Sequence, residues 1–203
     1  MPAWNRLANE RKITMFQEIN MILFGKANIG KTTTLMKLAM LLAGNGTITP
    51  AIESSVIDHF GVKRKGVVKR FKDAHLIVKY KEKLIFIATG GDSWFVSRNN
   101  YDFFTGNYNN LTDVFFVDIT GVKCLKNSEK EEFKIQKPCL SICACRPSGD
   151  NYGAIKAIHS YSVDCLGRFA QQIWIQKKDN KNVSERDSEV KEILQTIDAL
   201  LGL

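Results

Sequence analysis

The sequence predicts an α/β fold in three layers: a mainly parallel sheet with one antiparallel hairpin, and helices on both faces. Three observations lead to it. Ile19–Phe24 (INMILF) is a compact apolar run closed by Gly25, which suits a strand buried on both faces of a parallel sheet. A glycine-bounded loop follows, and then a helix pattern. In it Leu35, Leu38, Ala39 and Leu42 fall at i, i+3, i+4 and i+7, with Gly44 as the stop. From there apolar runs alternate with helical segments as far as an amphipathic C-terminal stretch, the order of α/β proteins.

Taken along the chain, residues 3–16 predict a short leading helix before the first strand. Residues 45–66 carry Gly46, Pro50, Gly61, Gly66 and the basic triplet Lys63-Arg64-Lys65, and read as loop. Val67–Phe71, Leu76–Tyr80 and Leu84–Ala88 read as β structure, the last two joined across Lys81-Glu82 as an antiparallel hairpin. Residues 93–112 read as polar loop with some helix. Val114–Ile119 and Leu140–Cys145 are further strands, the second ended by the turn signal Arg146-Pro147-Ser148-Gly149. Residues 151–161 predict a helix and Phe169–Gln176 an alternating strand. Val190, Ile193, Leu194, Ile197, Leu200 and Leu201 mark a last helix, capped by Ser184 or Ser188. With 203 residues and no repeat or linker, one domain over 1–203 is expected.

Hydrophobic residues at 44% and charged residues at 25% are the ordinary globular mixture, which excludes general disorder and a coiled-coil rod. No apolar run reaches the ~18 residues of a membrane span. The start, MPAWNRLANERK, has no signal-type apolar core, so a soluble cytoplasmic protein without membrane attachment is expected. The five cysteines are odd in number and unevenly spaced, which predicts reduced thiols. Even separations put Cys139, Cys143 and Cys145 on one strand face, but C-x3-C-x-C lacks the paired knuckles of a structural zinc site. A net charge of +8 fits a polyanionic partner: nucleotide, nucleic acid or an acidic protein face. Lys63–Lys65, Lys69, Arg70 and Lys72, and Lys79, Lys81 and Lys83 are its clusters. The last three have strand parity and would line a sheet edge, where cations also block strand-to-strand aggregation.

One motif carries chemistry. Gly25-Lys26-Ala27-Asn28-Ile29-Gly30-Lys31-Thr32 fits G-x-x-x-x-G-K-[ST]. Gly25 and Gly30 permit backbone angles that turn successive N–H groups inward on a phosphate. The helix behind them points its positive end at the same anion. Lys31 is a point charge for the β- and γ-phosphates, the Thr32 hydroxyl a Mg²⁺ ligand, and Thr33 an α-phosphate contact. Both confirming contexts are present, a buried-type strand before the loop and an amphipathic helix after it. Residues 19–44 therefore resemble the P-loop NTPase superfamily.

The resemblance implies the P-loop NTPase fold and binding of a nucleoside triphosphate with Mg²⁺. It also implies an acid at the end of another apolar strand, holding the metal or its waters. Two aspartates compete. Asp118 closes Val114–Val117 and opens Asp118-Ile119-Thr120-Gly121, a D-x-x-G string. Asp92 follows Ala88-Thr89-Gly90-Gly91, which looks like the D-x-x-G that ends the hairpin of GTPase-like members, with Ala88 in place of the acid. On that likeness Asp92 orients the attacking water or a metal-bound water. The N/T-K-x-D string of guanine recognition is missing at Ala144–Asp150, so ATP is expected over GTP. Arg146 would approach the base or a phosphate from that strand end. One hydroxyl among Thr47, Thr49, Ser54 and Ser55 would close on Mg²⁺ in a switch loop, the sequence leaving open which.

Leu84–Asp92 followed by Leu140–Arg146 is similar to the pattern of small bacterial P-loop proteins. The implied role is an ATP-hydrolysing switch or motor subunit. It would work with a protein partner or a second copy of itself in a multi-protein system such as phage defence. The alternative is a small-molecule or nucleotide kinase, with Asp92, or Glu53 with Lys63–Lys65, serving the acceptor.

Overall fold

The computed structural model describes residues 19–26, 28–91, 94–104, 111, 113–134, 138–146, 171–180 and 182–203. The element order is β1 (Ile19–Phe24), α1 (Lys31–Ala43), α2 (Pro50–Phe60), β2 (Gly61–Arg64), β3 (Val67–Phe71), β4 (His75–Tyr80), β5 (Lys83–Ala88) and α3 (Trp94–Phe104). It continues with β6 (Phe115–Asp118), β7 (Gly121–Cys124), α4 (Asn127–Lys134), β8 (Leu140–Cys145), β9 (Gln171–Gln176) and α5 (Val183–Leu201). This is a mixed α/β fold with a mostly parallel sheet.

The seven-stranded sheet has the order β7-β6-β4-β5-β8-β1-β9. Strands β5, β8, β1 and β9 are parallel. The hairpin then reverses direction, because β4 is antiparallel to β5 and β6 is parallel to β4. One edge of the sheet therefore gathers the C-terminal ends of β5, β8, β1 and β9 and the N-terminal ends of β4 and β6.

Alternation along the central strands divides the core in two. Met21 and Leu23 of β1, Ile85 and Ile87 of β5, and Leu140, Ile142 and Ala144 of β8 pack under α1, α2 and α5. Ile22, Phe86, Ala88, Cys143 and Cys145 point to the other face, against Phe103 and Phe104 of α3. Leu35, Leu38 and Leu42 of α1 are fully buried, each contributing about 1.5–3 kcal/mol. The helix end is fixed by Gly44, as expected.

The expectation of loop over 45–66 is corrected. Thr49 caps α2, its Oγ1 accepting from the Ile52 N–H at 3.3 Å, and Pro50 fills the first turn where no N–H is needed. Ile52, Val56 and Phe60 then recur every fourth residue and are buried. Strand β3 does not enter the main sheet. It pairs with β2 as a separate two-stranded ribbon, turning at Lys65 (φ 51°) and Gly66 (φ 75°). Lys81 (φ 44°) and Glu82 (φ 63°) make the β4–β5 turn in the same left-handed manner. Strand β7 and helix α4 were not expected from the sequence. Helix α5 is capped by Asn182, which accepts from the Glu185 N–H at 2.9 Å, rather than by Ser184 or Ser188. The helices expected over 3–16 and 151–161 lie outside the described residues.

The cysteine parity fails because Cys139 precedes β8. It packs toward the α1 face, while Cys143 and Cys145 lie on the other. Burial pushes the Cys143 thiol up, which keeps it an inert apolar group. Lys79, Lys81 and Lys83 do not line a sheet edge, since β4 and β5 are interior strands. Lys79 pairs with Glu82, Lys81 with Asp198, and Lys83 donates to the Leu201 carbonyl at the end of α5. Among the described residues no helix is long and apolar enough to cross a membrane.

Candidate functional site

The loop from β1 to α1 lies at the edge where the parallel strands end. It is tied down by the Gly25 N–H donating to the Cys145 carbonyl at 3.1 Å. Its two glycines do different jobs. Gly30 has φ 89° and caps α1 in the left-handed region, as the motif requires. Gly25 is needed for space: a Cβ there would stand 2.4 Å from Ile29 Cδ1 and 3.1 Å from Lys177 Cβ. The second left-handed residue of the loop is Asn28, at φ 60°. Ala27 lies outside the described residues, and Lys26 is exposed beside the loop.

Lys31 is buried, and its Nζ donates to the carbonyls of Gly25 (2.9 Å) and Lys26 (2.8 Å). The ammonium is thus held inside the loop it belongs to. The N-terminus of α1 has neither a side-chain cap nor a carboxylate in its first turn. Asn28, Ile29, Gly30, Lys31, Thr32 and Thr33 all line a cleft of about 770 Å³. Its other walls carry Lys37, Lys69, Arg70, Lys72 and Arg186 against Glu53, Asp73 and Asp179. Cations outnumber carboxylates, as an anionic ligand demands.

The residue that meets Thr32 is one the sequence reading passed over. Thr32 Oγ1 donates to Asp73 Oδ1 at 2.9 Å, with the Thr89 carbonyl 3.3 Å away. Asp73 sits just before β4, and the reversal of that strand brings it to the edge where β1 and β5 end. The Ala74 and Thr89 backbones continue the ladder there, the Thr89 N–H donating to the Ala74 carbonyl at 3.0 Å. Thr89 Oγ1 accepts from the Ala74 N–H at 2.9 Å. Gly90 leaves room for the carboxylate, since a Cβ would lie 2.9 Å from Asp73 Oδ2. Gly91 is packed as closely, its Cβ position 1.8 Å from the Ala144 carbonyl oxygen on β8.

Contacts from α3 and β4 fix this corner. Asn100 of α3 donates from Nδ2 to the Gly90 carbonyl at 2.9 Å, so its Oδ1 accepts from His75 Nε2 at 3.1 Å. Burial holds His75 below its ordinary range, outweighing the opposing effects of Asn100 and Asp73, and it is a neutral donor.

Of the two expected acids, Asp92 lies outside the described residues, directly after Gly91. Asp118 is not brought to Thr32. It ends β6, which runs against β5, and so lies at the opposite edge of the sheet. There it accepts from the Thr120 N–H (2.8 Å) and Oγ1 (2.6 Å) and shapes the β6–β7 turn. The four hydroxyls expected near a metal are elsewhere too. Thr49 caps α2, Ser55 Oγ accepts from the Val122 N–H at 2.9 Å, and neither Thr47 nor Ser54 lines the cleft. Arg146 follows β8 at the same edge as the loop.

Arg186, in the first turn of α5, is a further residue with no sequence signal. Its guanidinium lies 3.9 Å from where a Gly30 Cβ would stand, and its buried Nε has no hydrogen-bond partner among the described residues. Strand β9 and α5 are joined beside the loop by a buried ion pair, Lys177 Nζ to Glu189 Oε2 at 2.6 Å. Compared with family models, curated proteins and solved structures, the chain gives no match.

Proposed function

We propose that the chain binds a nucleoside triphosphate with Mg²⁺ in this cleft and hydrolyses it, ATP being preferred over GTP. Its role would be that of a nucleotide-dependent switch or motor subunit. The observation that carries the reading is the Thr32–Asp73 contact at the mouth of a G-x-x-x-x-G-K-T loop. Two hard oxygens 2.9 Å apart beside a cationic cleft fit a cation that takes one or two protein oxygens and keeps several waters. The metal, when bound, neutralises charge on the β- and γ-phosphates. Lys31 and the N-terminal end of α1 would hold the phosphate oxygens, Arg186 would offer to the same chain of phosphates its Nε–H, which has no partner among the described residues, and Asp92 would orient the water.

The test is phosphate release from Mg-ATP and Mg-GTP, with binding followed separately by a fluorescent nucleotide. Lys31→Ala and Asp73→Asn should each lower turnover at least 100-fold, and Asp118→Asn should leave it unchanged. Equal turnover in wild type and the Asp73 variant would refute the metal assignment. A second reading, phosphoryl transfer to an acceptor, is favoured by one observation. A second cavity of about 590 Å³, lined by His75, Asn100 and Asp113, meets the cleft at Lys72 and Asp73. Turnover seen only with added nucleosides or nucleotides would select it.

A further inference from the structure

We propose that the β2–β3 ribbon is a docking element for duplex DNA, held through its phosphates. Between Gly61 and Lys72 the chain carries six cations, Lys63, Arg64, Lys65, Lys69, Arg70 and Lys72, and no carboxylate. The whole chain has a net charge of +8, and without these six it has +2. The excess charge is therefore a property of this ribbon. All six side chains are exposed. Among the described residues the ion pair they make is Lys63 with Asp58, at 3.8 Å and half in solvent. The other basic cluster, Lys79 to Lys83, is already engaged with Glu82, Asp198 and the end of α5.

The shape and composition select the partner. Two antiparallel strands with a two-residue turn form a blade that the major groove of B-DNA, about 12 Å wide, admits. An acidic protein face is the poorer fit. Protein interfaces use aromatic and arginine anchors and are depleted in lysine, whereas four of these six are lysines and the one exposed large apolar residue is Val67. A single strand is disfavoured as well, because Phe71, the ribbon's one aromatic, packs onto the core and leaves no stacking platform. A-form RNA closes its major groove to such a blade.

Lys69, Arg70 and Lys72 are shared with the wall of the cleft, but the tip residues Lys63, Arg64 and Lys65 lie outside it, so the tests of the two readings are separable. Fluorescence anisotropy on a labelled duplex of about 20 base pairs would be run from 50 to 200 mM KCl. If all six cations meet phosphates, the slope of log K against log salt is about −5.4, a loss of roughly 2 × 10³-fold over that range. Replacing the tip (Lys63→Gln, Arg64→Gln and Lys65→Gln together) should halve the slope to about −2.7, a loss of roughly 40-fold, with the melting temperature unchanged. Lys31→Ala should abolish nucleotide binding and leave the DNA slope intact. Absence of duplex binding at 50 mM KCl, an unchanged slope in the tip variant, or tighter binding to polyglutamate than to the duplex would each overturn the proposal.

Discussion

Removing one half of the Lys177–Glu189 pair should destabilise the protein far more than removing both charges. The two side chains are 0% and 3% exposed, so neither charge reaches water. Lys177 Nζ donates to Glu189 Oε2 and to the Lys178 carbonyl, both at 2.6 Å. Glu189 also accepts from the Lys178 N–H at 2.8 Å and from Asn180 Nδ2 at 2.6 Å. In Lys177→Met the carboxylate keeps two neutral donors and loses its counter-charge. In Glu189→Gln the ammonium keeps one carbonyl. A buried charge left alone in this way costs about 3–5 kcal/mol. The double variant buries no charge, and the amide oxygen that replaces the Glu189 carboxylate can still accept one of the two N–H bonds. Its cost should therefore be about 1–2 kcal/mol. The coupling between the sites is then at least about 4 kcal/mol. Urea unfolding measures it, with midpoints compared at constant slope. Additive single-variant losses, or single losses below about 1 kcal/mol, would refute the reasoning.

Three more outcomes are expected. Thr49→Ala removes the α2 cap and should lower stability by about 1 kcal/mol, read from the same urea midpoints. Arg186→Gln should weaken nucleotide binding roughly 10- to 100-fold by fluorescence titration, the range of one hydrogen bond to a charged group. Burial keeps His75 below its ordinary 6.5, so the unfolded chain takes up that proton first on acidification. Its contribution is therefore full above pH 6.5 and falls by up to about 1.4 kcal/mol per unit as the pH drops toward the folded value. His75→Gln should flatten that slope between pH 7.5 and 5, and an unchanged slope would contradict the assignment.

What could be read in the sequence was what is encoded locally. Strands β1 and β8 and helix α1 appear with the boundaries expected, because an uninterrupted apolar run or a 3.6-residue stripe is visible within a short window. Helix α2 is equally local, but Pro50 and the glycines around it also carry the composition of a loop. The cap-then-proline order of Thr49-Pro50 and the spacing of Ile52, Val56 and Phe60 were the signals. Strand direction is different. An apolar run ending in aspartate says nothing about which edge of the sheet the aspartate reaches, and this is why Asp118 stands in the sequence as an alternative to Asp92. Arg186 and Glu189 are brought in by a helix far along the chain from the loop they flank, with no periodicity to announce them.

The hairpin expected from the sequence nevertheless implies where an acid of the proposed site would lie. If Leu76–Tyr80 and Leu84–Ala88 are antiparallel, the start of the first lies beside the end of the second. An acid just before the first strand must then share an edge with the Thr89-Gly90-Gly91 corner. Asp73 meets that condition, and on the proposed reading Ala88 has no need to be acidic. The same geometry makes Asp73 the point where two other parts of the molecule converge. Lys72 alone separates it from β3 and the basic ribbon, while His75, Asn100 and the Gly90 carbonyl connect its corner to α3. A ligand held by the ribbon lies one residue of backbone from the Thr32–Asp73 contact. Stimulation of hydrolysis by duplex DNA is therefore the behaviour expected where the site and the ribbon function together. It should vanish in the ribbon-tip variant while basal nucleotide binding persists.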